Sequence, residues 1–506
     1  MSAHVERSRP IGYGSLAGEF IGAAGWISFT AVVLAGATGG FFTWYLAVVP
    51  LHREGLSAIA LPLGVLIGAL VSLSLWRWYA NYFARRTGIK FERSLRYDAL
   101  SWVSLLLLWL SFALPLSITH SGRMLVVSAA FFCLAKLFFA ARFNQTVRDV
   151  LVDFATTRFA IVVIAELAAI IIGQRAGTHI AESRHLLLAV WGRWDAVHYL
   201  DIATIGYHGT DVAFFPLFPL LITMLGRLTG SHLIAGLILS NVAFFFGLLY
   251  LYKWAEHEFD RGVARRAIFY ISIFPTAVFF SAVYTESLFF ALTVASFYYI
   301  REHKWLAAGI IGFLAALTRV EGVLLIVPFA MECYQSNRSS AVGILRPAIS
   351  ICLIPLGILC YMAWLWVLVG DPLAFSHVQS HWNRHLALPW VGIWNSLKIV
   401  ATTHLPQTAV NKLLELVFTG LMIGVLVAGY RRLRPSAAAY MALSILVPLC
   451  TSSLMSMQRF ALVLFPMFAI LALWGQKPSV NNLIVALSLP LLGLFTVLFA
   501  NWYWVA

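Results

Sequence analysis

Charged residues are scarce in this sequence. Only 11% of its 506 residues are Asp, Glu, Lys or Arg, against about 25% in soluble domains. Hydrophobic residues make up 61% of the chain, and the mean hydropathy is +0.85. A soluble fold cannot bury that much apolar surface, so lipid must be the solvent for most of the chain. The sequence therefore predicts an integral membrane protein.

Cysteine is scarce as well. The five cysteines are Cys133, Cys333, Cys352, Cys360 and Cys450. All lie in or beside apolar runs without CxxC spacing, which indicates small core residues rather than disulfides or metal ligands. We also expect no cleavable signal sequence. The first apolar run extends from Phe20 to about Leu51 and is far too long for a signal-peptide core.

The formal charge of +14 comes from basic residues in short loops between apolar runs. This distribution is typical of cytoplasmic membrane loops, which face an anionic leaflet. We therefore expect membrane lipids as partners and no nucleic acid. Orientation follows from the same residues: the basic loops 80–97, 253–266 and 431–434 should be cytoplasmic, together with the N-terminal segment that carries Arg7 and Arg9.

Apolar runs recur along the whole chain and predict an all-α, polytopic fold with about 13–15 transmembrane helices. The predicted spans are 20–49, 56–76, 99–118, 124–141, 157–174, 232–252, 267–281, 286–300, 305–318, 320–333, 347–369, 409–429, 436–453, 460–474 and 481–501. Several of the middle runs are short. They predict tilted pairs, or half-helices that meet at a site.

A large polar and aromatic loop at 175–211 follows the fifth predicted span and should lie outside. The apolar stretch Phe214–Leu228 should not cross the membrane, because a crossing would place the basic loop 253–266 outside. We expect a helix at the outer interface, and Pro216 and Pro219 suit its irregular entry. The other loops predicted outside are 282–285, 370–408 and 454–459.

Three of the 21 carboxylates, Asp195, Asp201 and Asp211, fall in the first outer loop. A positioned carboxylate can take the proton of a hydroxyl that attacks a sugar carbon, which is the chemistry of glycosyl transfer. Asp195 is the candidate base. The alternative is that Asp195 caps a helix and that the aromatic residues around it form an interfacial belt. Asp201 is either a second site residue or a polar loop residue.

Trp194, His198 and Tyr199 surround these carboxylates and are candidate substrate-lining residues. An aromatic face suits a sugar or a lipid. No His or Cys spacing resembles a zinc site, so we expect no bound metal. A divalent cation could bind the acidic loop, but no spacing requires one.

Two further groups of charged residues fall on the predicted outer side. Glu286 stands at the hairpin between two spans, where an ionisable group is a candidate for function or, with Thr285, for helix capping. Arg319 and Glu321 interrupt an apolar stretch. They are either a buried ion pair or, through Arg319, a site for a donor phosphate, since arginine carries a permanent charge and a fork of donors.

The later outer loops add candidate binding residues. Asp371 stands in a Gly-Asp-Pro turn. Gln379, Trp382 and Arg384 could line a sugar or phosphate site. Arg459 enters an apolar helix at its outer end, where it either reaches the lipid headgroups or binds phosphate. The charge-based topology places these residues on the same side as Asp195 without using their identity.

The first outer loop resembles the signature of a known family. It reads Trp194-Asp195-x-x-His198-Tyr199-x-x-Ile202-Ala203-x-x-Gly206-Tyr207, followed by Ala213-Phe214-Phe215-Pro216-Leu217-Phe218-Pro219-Leu220. This block is similar to the PIG-V family of GPI mannosyltransferase II-like proteins. Shorter matches follow at Phe279-Phe280-Ser281-Ala282-Val283-Tyr284-Thr285-Glu286-Ser287, Leu317-Thr318-Arg319, Gly370-Asp371-Pro372-Leu373-Ala374-Phe375 and Gln458-Arg459-Phe460.

The resemblance implies a GT-C-like fold and a polyprenyl-phosphate sugar donor, usually with mannose. It implies transfer with inversion at the lumenal or periplasmic face, and it makes Asp195 the catalytic residue. It covers roughly residues 155–506, so we divide the chain into an N-terminal transmembrane extension of unknown role, 1–150, and a glycosyltransferase domain, 151–506. The extension favours a bacterial homologue in the inner membrane. The acceptor could be a glycolipid, a glycan or a protein.

Two other functions fit a polytopic membrane protein. A transporter or flippase of lipid-linked glycans would place charged residues near the bilayer midplane and often shows internal repeats. The sequence shows no evident repeat, and its charges cluster in loops on one side, which favours an enzyme. A ligase of lipid-linked glycans would also act at the outer face. It differs in moving a whole glycan rather than one sugar.

Overall fold

The computed structural model describes residues 144–172, 186–336 and 341–505, together with Leu66, Ile67, Leu70 and Ser74. Residues 146–506 form one compact unit. Apart from those four residues, the four spans predicted before residue 144, and loop residues 175–185, lie outside the described part. The predicted domain boundary at residue 150 stays a prediction.

The described part of the chain is built from helices. They are α1 (Gln145–Ile171), α2 (Leu186–Ala189), α3 (Asp195–Ile205), α4 (Leu217–Thr229), α5 (His232–Glu258), α6 (Arg261–Ser272), α7 (Glu286–Arg301), α8 (Trp305–Ala316), α9 (Ile326–Ser336), α10 (Ala341–Val369), α11 (Ala374–His377), α12 (Val391–Thr402), α13 (Pro406–Gly429), α14 (Pro435–Leu449), α15 (Met457–Val463), α16 (Phe465–Trp474) and α17 (Pro478–Ala500). Short 3-10 turns join them at Gly209–Ala213, Ala277–Phe280, Val320–Leu325, Val378–Trp382 and Tyr430–Arg432.

Five long apolar helices confirm the predicted all-α, polytopic membrane fold. Within the described residues, α1, α5, α10, α13 and α17 each contain an apolar stretch of at least 23 residues, long enough to cross a membrane. They correspond to the predicted spans 157–174, 232–252, 347–369, 409–429 and 481–501. The helix pair α15–α16 adds a sixth span if the two pieces are counted together. The GT-C-like arrangement stays a prediction from the resemblance.

The short apolar runs form broken or partial helices, as predicted. The run 460–474 belongs to α15 and α16, which bend by 74° at a one-residue break before Phe465-Pro466. The run 320–333 is not the single span predicted, because it starts as the 3-10 turn Val320–Leu325. Helix α4 has 13 residues, or about 20 Å of length, against a hydrocarbon core of about 30 Å. It cannot cross the membrane, which agrees with the predicted non-crossing stretch.

Local signals in the sequence set the helix ends. Gly230 ends α4 with a φ of 72°, a left-handed conformation that costs glycine little. Ser231 and Asp260 cap α5 and α6 with side-chain oxygens that accept from the Ile234 and Val263 amides, respectively. A proline occupies the first turn of α13, α14 and α17, where its missing N–H costs nothing.

Helices α8 and α10 approach closely because glycines line their contact. A Cβ on Gly309 would lie 2.3 Å from the Ser350 carbonyl oxygen, and one on Gly312 would lie 2.7 Å from Ile354 Cγ1. From the other helix, a Cβ on Gly357 would lie 2.5 Å from the Phe313 carbonyl oxygen. Small residues of this kind let membrane helices pack backbone to backbone. The contact joins the helix before Arg319 to a full-length span.

We expect Gly309→Ala to destabilise the protein by about 1–3 kcal/mol, because the added methyl meets backbone that cannot move aside. Gly420→Ala is the matched control, since a Cβ there meets nothing within 4 Å. Thermal unfolding in detergent should show a clearly lower midpoint for the first variant alone. Equal midpoints for both variants would contradict the close packing.

A ring of two carboxylates and two guanidinium groups closes one end of the bundle. Arg301 donates to Glu258 over 2.6 Å and to Glu332 over 3.0 Å. Arg434 donates to Glu258 over 2.7 Å, and the Ser436 hydroxyl donates to Glu332 over 2.5 Å. The ring connects α5, α7, α9 and the start of α14. It lies at the end of α7 opposite to Glu286, about 22 Å away along the helix axis.

Candidate active site

Asp195 is the first residue of α3 and follows a strained position. Trp194 has φ 57° and ψ −124°, a left-handed φ that a non-glycine residue adopts only at an energetic cost. Its ring packs against Trp502 and Trp504, with centroids 5.7 and 5.2 Å away. The C-terminal segment therefore holds Trp194 in place and fixes the point from which Asp195 projects.

The neighbouring Arg193 is buried beneath this loop. It is 1% exposed, and none of its three guanidinium nitrogens has a hydrogen-bond partner among the described residues. Burial lowers the pKa of Arg193 to about 10, and the Glu166 carboxylate partly offsets that effect. Its backbone carbonyl accepts from the Tyr284 hydroxyl over 3.0 Å, and its guanidinium lies over the Trp502 ring. These contacts anchor the loop to α17 and to the turn before α7.

Asp195 is bonded directly to Arg459, 264 residues away in sequence. The Nη1 of Arg459 lies 2.5 Å from Asp195 Oδ2, and its Nε lies 2.6 Å from Glu286 Oε1. The guanidinium also lies over the rings of Tyr284 and Phe279, 4.8 and 5.4 Å from their centroids. Arg459 thus joins the first outer loop to the start of α7.

Glu286 is the centre of this charged cluster. It is fully buried, and its Oε1 accepts from both Arg459 and Arg319, the latter over 3.2 Å. Its Oε2 has no hydrogen-bond partner among the described residues. Arg319 also pairs with Glu321 over 3.5 Å. The ion pair predicted for Arg319 and Glu321 is therefore present as part of the cluster, whereas the alternative of a donor-phosphate site at Arg319 stays a prediction.

Arg384 lies beside the cluster without a carboxylate of its own. Its Nη2 donates to the Met455 carbonyl, and its buried Nε has no partner in the described structure. Burial lowers the pKa of Arg384, and the positive charge of Arg459 lowers it further, while Asp195 acts in the opposite direction. No ion pair of Arg384 occurs within the described residues. This guanidinium is therefore available to an anionic ligand.

Three segments of the site contain a left-handed non-glycine residue. Trp194 directly precedes Asp195, Asn383 (φ 54°) directly precedes Arg384, and Ser456 (φ 70°) stands three residues before Arg459. Trp502, which packs against Trp194, has φ 64°. Four of the five such residues in the described part of the chain adjoin this site. Strained backbone concentrates at sites where function, rather than stability, decides the geometry.

His198, on the same helix as Asp195, pairs with Asp211 from the 3-10 turn Gly209–Ala213. His198 Nδ1 lies 2.8 Å from Asp211 Oδ1, and the His198 ring stacks on Phe214 with centroids 4.6 Å apart. Tyr199, the next residue, is buried, and its hydroxyl lies 3.3 Å from Thr285 Oγ1. Burial raises the pKa of Tyr199 above its ordinary value, and the Glu286 carboxylate adds to that effect.

The structure places two predicted site residues apart from the cluster. Asp201 is exposed on α3, about 240° around the helix from Asp195 by helical geometry. Asp371 pairs with His377 over 2.7 Å and accepts from the Leu373 amide. The His377 hydrogen bond and then the Leu373 amide lower the pKa of Asp371. Its described contacts all lie within its own turn.

Several buried polar atoms without partners belong to the charged cluster, to its sequence neighbours or to Arg384. Among the described residues they are Trp194 Nε1, Glu286 Oε2, Arg384 Nε and Gln458 Oε1. Buried polar atoms without partners are costly, so their concentration at one place indicates a ligand or water site. In the part of the chain that the structure describes, no group of three His, Cys, Asp or Glu side chains could hold a metal ion.

The sequence did not indicate three features of this site: the separation of Arg384 from any carboxylate, the pairing of His198 with Asp211, and the packing of the C-terminal tryptophans. The sequence did contain an indication of the tryptophan packing. Trp502 and Trp504 stand at the end of an apolar span, and indole rings favour interfacial positions there. The pairings depend on loop conformations that periodicity does not encode.

Known proteins match part of this chain. The family described as Mannosyltransferase (PIG-V) matches residues 168–345. GPI mannosyltransferase 2 of Schizosaccharomyces pombe is 28% identical over 162 residues, 30% of this chain and 35% of the relative. GPI alpha-1,6-mannosyltransferase 2 of Mus musculus is 32% identical over 174 residues, and that of Cricetulus griseus is 32% identical over 175. In each case the match spans about a third of the relative's length, 35%.

The matched segment contains Asp195, His198, Asp211, Glu286 and Arg319, whereas Arg384 and Arg459 lie beyond it. Most of the charged cluster is thus built from the shared region. Residues 168–345 of this membrane protein are therefore similar to the PIG-V family of mannosyltransferases.

Proposed function

We propose that this protein transfers a mannosyl group from a polyprenyl-phosphate donor to a hydroxyl acceptor. The observation that carries the proposal is the Asp195–Arg459–Glu286–Arg319 cluster, most of which lies in the segment shared with PIG-V mannosyltransferases. A carboxylate serves the reacting sugar and hydroxyl, and guanidinium groups serve the phosphate that leaves. The cluster supplies both kinds of group in one place.

Asp195 is the catalytic carboxylate in this proposal. Its Oδ2 is occupied by Arg459, so Oδ1 is the oxygen that can face a ligand. The Asp195 side chain is 25% exposed, whereas that of Glu286 is fully buried. Glu286 therefore acts through Arg459 and Arg319 by fixing their positions. The exposed oxygen makes Asp195 the member of the cluster that a sugar can reach.

Arg384 is the proposed partner of the donor phosphate. The carboxylates of the cluster already engage Arg319 and Arg459. Arg384 has no such partner among the described residues. Burial and the positive charge of Arg459 lower its pKa, and the carboxylate of Asp195 acts in the opposite direction. The carboxylates of Asp195, Glu286 and Glu321 all pair with Arg319 or Arg459. A phosphate that leaves with additional negative charge would find the least compensated cation at Arg384.

Helix α12 suits an approach from the membrane. It exposes Trp390 and Trp394, 62% and 68% exposed, while Gly392 and Ser396 are buried. Apolar aromatic residues that face outward on a short helix are typical of the membrane interface. We propose that this end of the bundle is the outer, periplasmic or lumenal face, at which a polyprenyl chain could reach the site from the bilayer. A single displacement at the sugar carbon would invert its configuration.

The proposal is tested with purified protein in nanodiscs, supplied with radiolabelled polyprenyl-phosphate mannose and membrane lipid extract. Transfer of label to an acceptor supports it, and GDP-mannose, a soluble donor, should give none. No transfer and no release of mannose would reject the glycosyltransferase, and movement of intact donor across the bilayer would then favour a flippase. Transfer of a preassembled glycan, and not of a single sugar, would identify a ligase. Repeating the assay with a chelator tests the need for a divalent cation.

A further inference from the structure

A second proton-accepting group lies next to Asp195. Asp195 and His198 are three residues apart in the first turns of α3 and therefore lie on one side of that helix. Both are partly open: their side chains are 25% and 36% exposed. Tyr199, four residues after Asp195, lies on this same side of α3, and its hydroxyl lies 3.3 Å from Thr285 Oγ1. A ligand that reaches Asp195 thus passes close to His198.

The imidazole of His198 is held in one orientation. Its Nδ1 bonds the Asp211 carboxylate, whose other oxygen accepts from the His208 amide over 3.4 Å. Asp211 is 9% exposed, and the flat stack on Phe214 fixes the ring plane. A carboxylate oxygen acts as the acceptor in this hydrogen bond, so we assign the hydrogen to Nδ1 of His198, which donates it. The Nε2 of His198 is then a lone-pair acceptor with no partner among the described residues.

Asp195 is placed for a different task. Its Oδ2 accepts a hydrogen bond from the guanidinium of Arg459, which carries a permanent positive charge. A fixed negative charge suits the sugar, because positive charge develops on the anomeric carbon and ring oxygen during glycosyl transfer. A carboxylate-backed imidazole suits the proton of the acceptor, since imidazole exchanges protons near neutral pH.

We propose that His198, positioned by Asp211, is the base that deprotonates the acceptor, and that Asp195 stabilises the charge on the sugar. The proposal rests on the mannosyltransferase function above. In this step the acceptor oxygen forms a bond to the anomeric carbon as the bond from that carbon to the phosphate oxygen breaks. The bonding pair leaves with the polyprenyl phosphate. The acceptor proton moves to His198 Nε2, and Asp211 balances the imidazolium until solvent takes the proton.

The test compares His198→Ala, Asp211→Asn and Asp195→Ala in the nanodisc assay with polyprenyl-phosphate mannose. We expect His198→Ala to lower kcat by about 10²–10⁴-fold, with little change in donor KM. Added imidazole should raise the kcat of this variant at least about tenfold. Asp211→Asn should lower kcat by about 10–100-fold, because the ring loses its oriented tautomer. His257→Ala, at the far end of α5, is the control and should remain active.

The outcomes separate this inference from the proposed function. Loss of a catalytic base typically lowers the rate by about 10²–10⁴-fold. A His198→Ala variant whose kcat stays within about threefold of wild type would therefore overturn the inference. So does rescue of Asp195→Ala by formate together with no rescue of His198→Ala by imidazole, which would make Asp195 the base. Wild-type protein that moves no mannose from the lipid phosphate would reject the function itself. His198→Gln, which keeps the side-chain bulk, replaces His198→Ala if thermal unfolding shows that the smaller variant does not fold.

Discussion

Asp195→Asn is expected to lower mannosyl transfer by about 10²–10⁴-fold while the protein stays folded. The substitution keeps the size of the side chain and removes its charge. Arg459 then loses one of its two carboxylate partners but keeps Glu286, so the cluster should hold its shape. The loss should appear in kcat more than in donor KM, because the charge of Asp195 acts on the reacting sugar.

The measurement is initial-rate transfer from polyprenyl-phosphate mannose, normalised to folded protein. Asp260→Asn is the matched control: it makes the same chemical change at the cap of α6, and asparagine caps a helix as well as aspartate does. The control should match wild type in rate and stability. If Asp195→Asn transferred mannose at the wild-type rate, the charged cluster would be structural and the reaction centre would lie elsewhere.

The second large effect concerns the buried carboxylate of Glu286. Its single bonded oxygen holds two guanidinium groups, on Arg319 and Arg459. Glu286→Gln removes the one carboxylate that both cations share and leaves Arg319 with Glu321 and Arg459 with Asp195. Removal of one member of such a buried charged group typically costs about 3–5 kcal/mol. We expect a lower unfolding midpoint and, in the fraction that remains folded, nearly complete loss of transfer, because Arg459 no longer positions Asp195.

The ring at the other end of α7 provides a control for this variant. Glu332 is 3% exposed and also bridges two arginines, Arg301 and Arg434. Glu332→Gln should lower stability to a similar degree, since it removes the same kind of charge. Per folded molecule it should transfer mannose at the wild-type rate. Equal loss of transfer in both variants would show that Glu286 matters through stability alone.

The long spans and the grouping of the charged residues could be predicted from the sequence. An apolar run of more than 20 residues can adopt few structures other than a helix in a bilayer. This is why α5 and α17 match their predicted positions within a few residues. The rule that basic loops face the cytoplasm grouped Asp195, Glu286, Arg319 and Arg459 on one side. The structure brings those four together.

The specific pairings could not be predicted. The contact between Arg459 and Asp195 crosses 264 residues and depends on the bend between α15 and α16, which hydropathy does not reveal. Asp371 shared the predicted side with Asp195, yet it pairs with His377 in its own turn. Composition and topology restrict a residue to a membrane face. Loop conformation, set by a few strained dihedral angles, decides its neighbour.

The strained positions have a consequence for engineering. Asn383 and Ser456 hold left-handed dihedral angles that glycine would adopt more readily, and each such position stores about 1–3 kcal/mol. Selection for heat resistance alone would favour glycine at both positions. The same substitutions would loosen the segments that carry Arg384 and Arg459. A thermostable descendant of this chain should therefore obtain its stability from the lipid-facing helices if it is to remain an active catalyst.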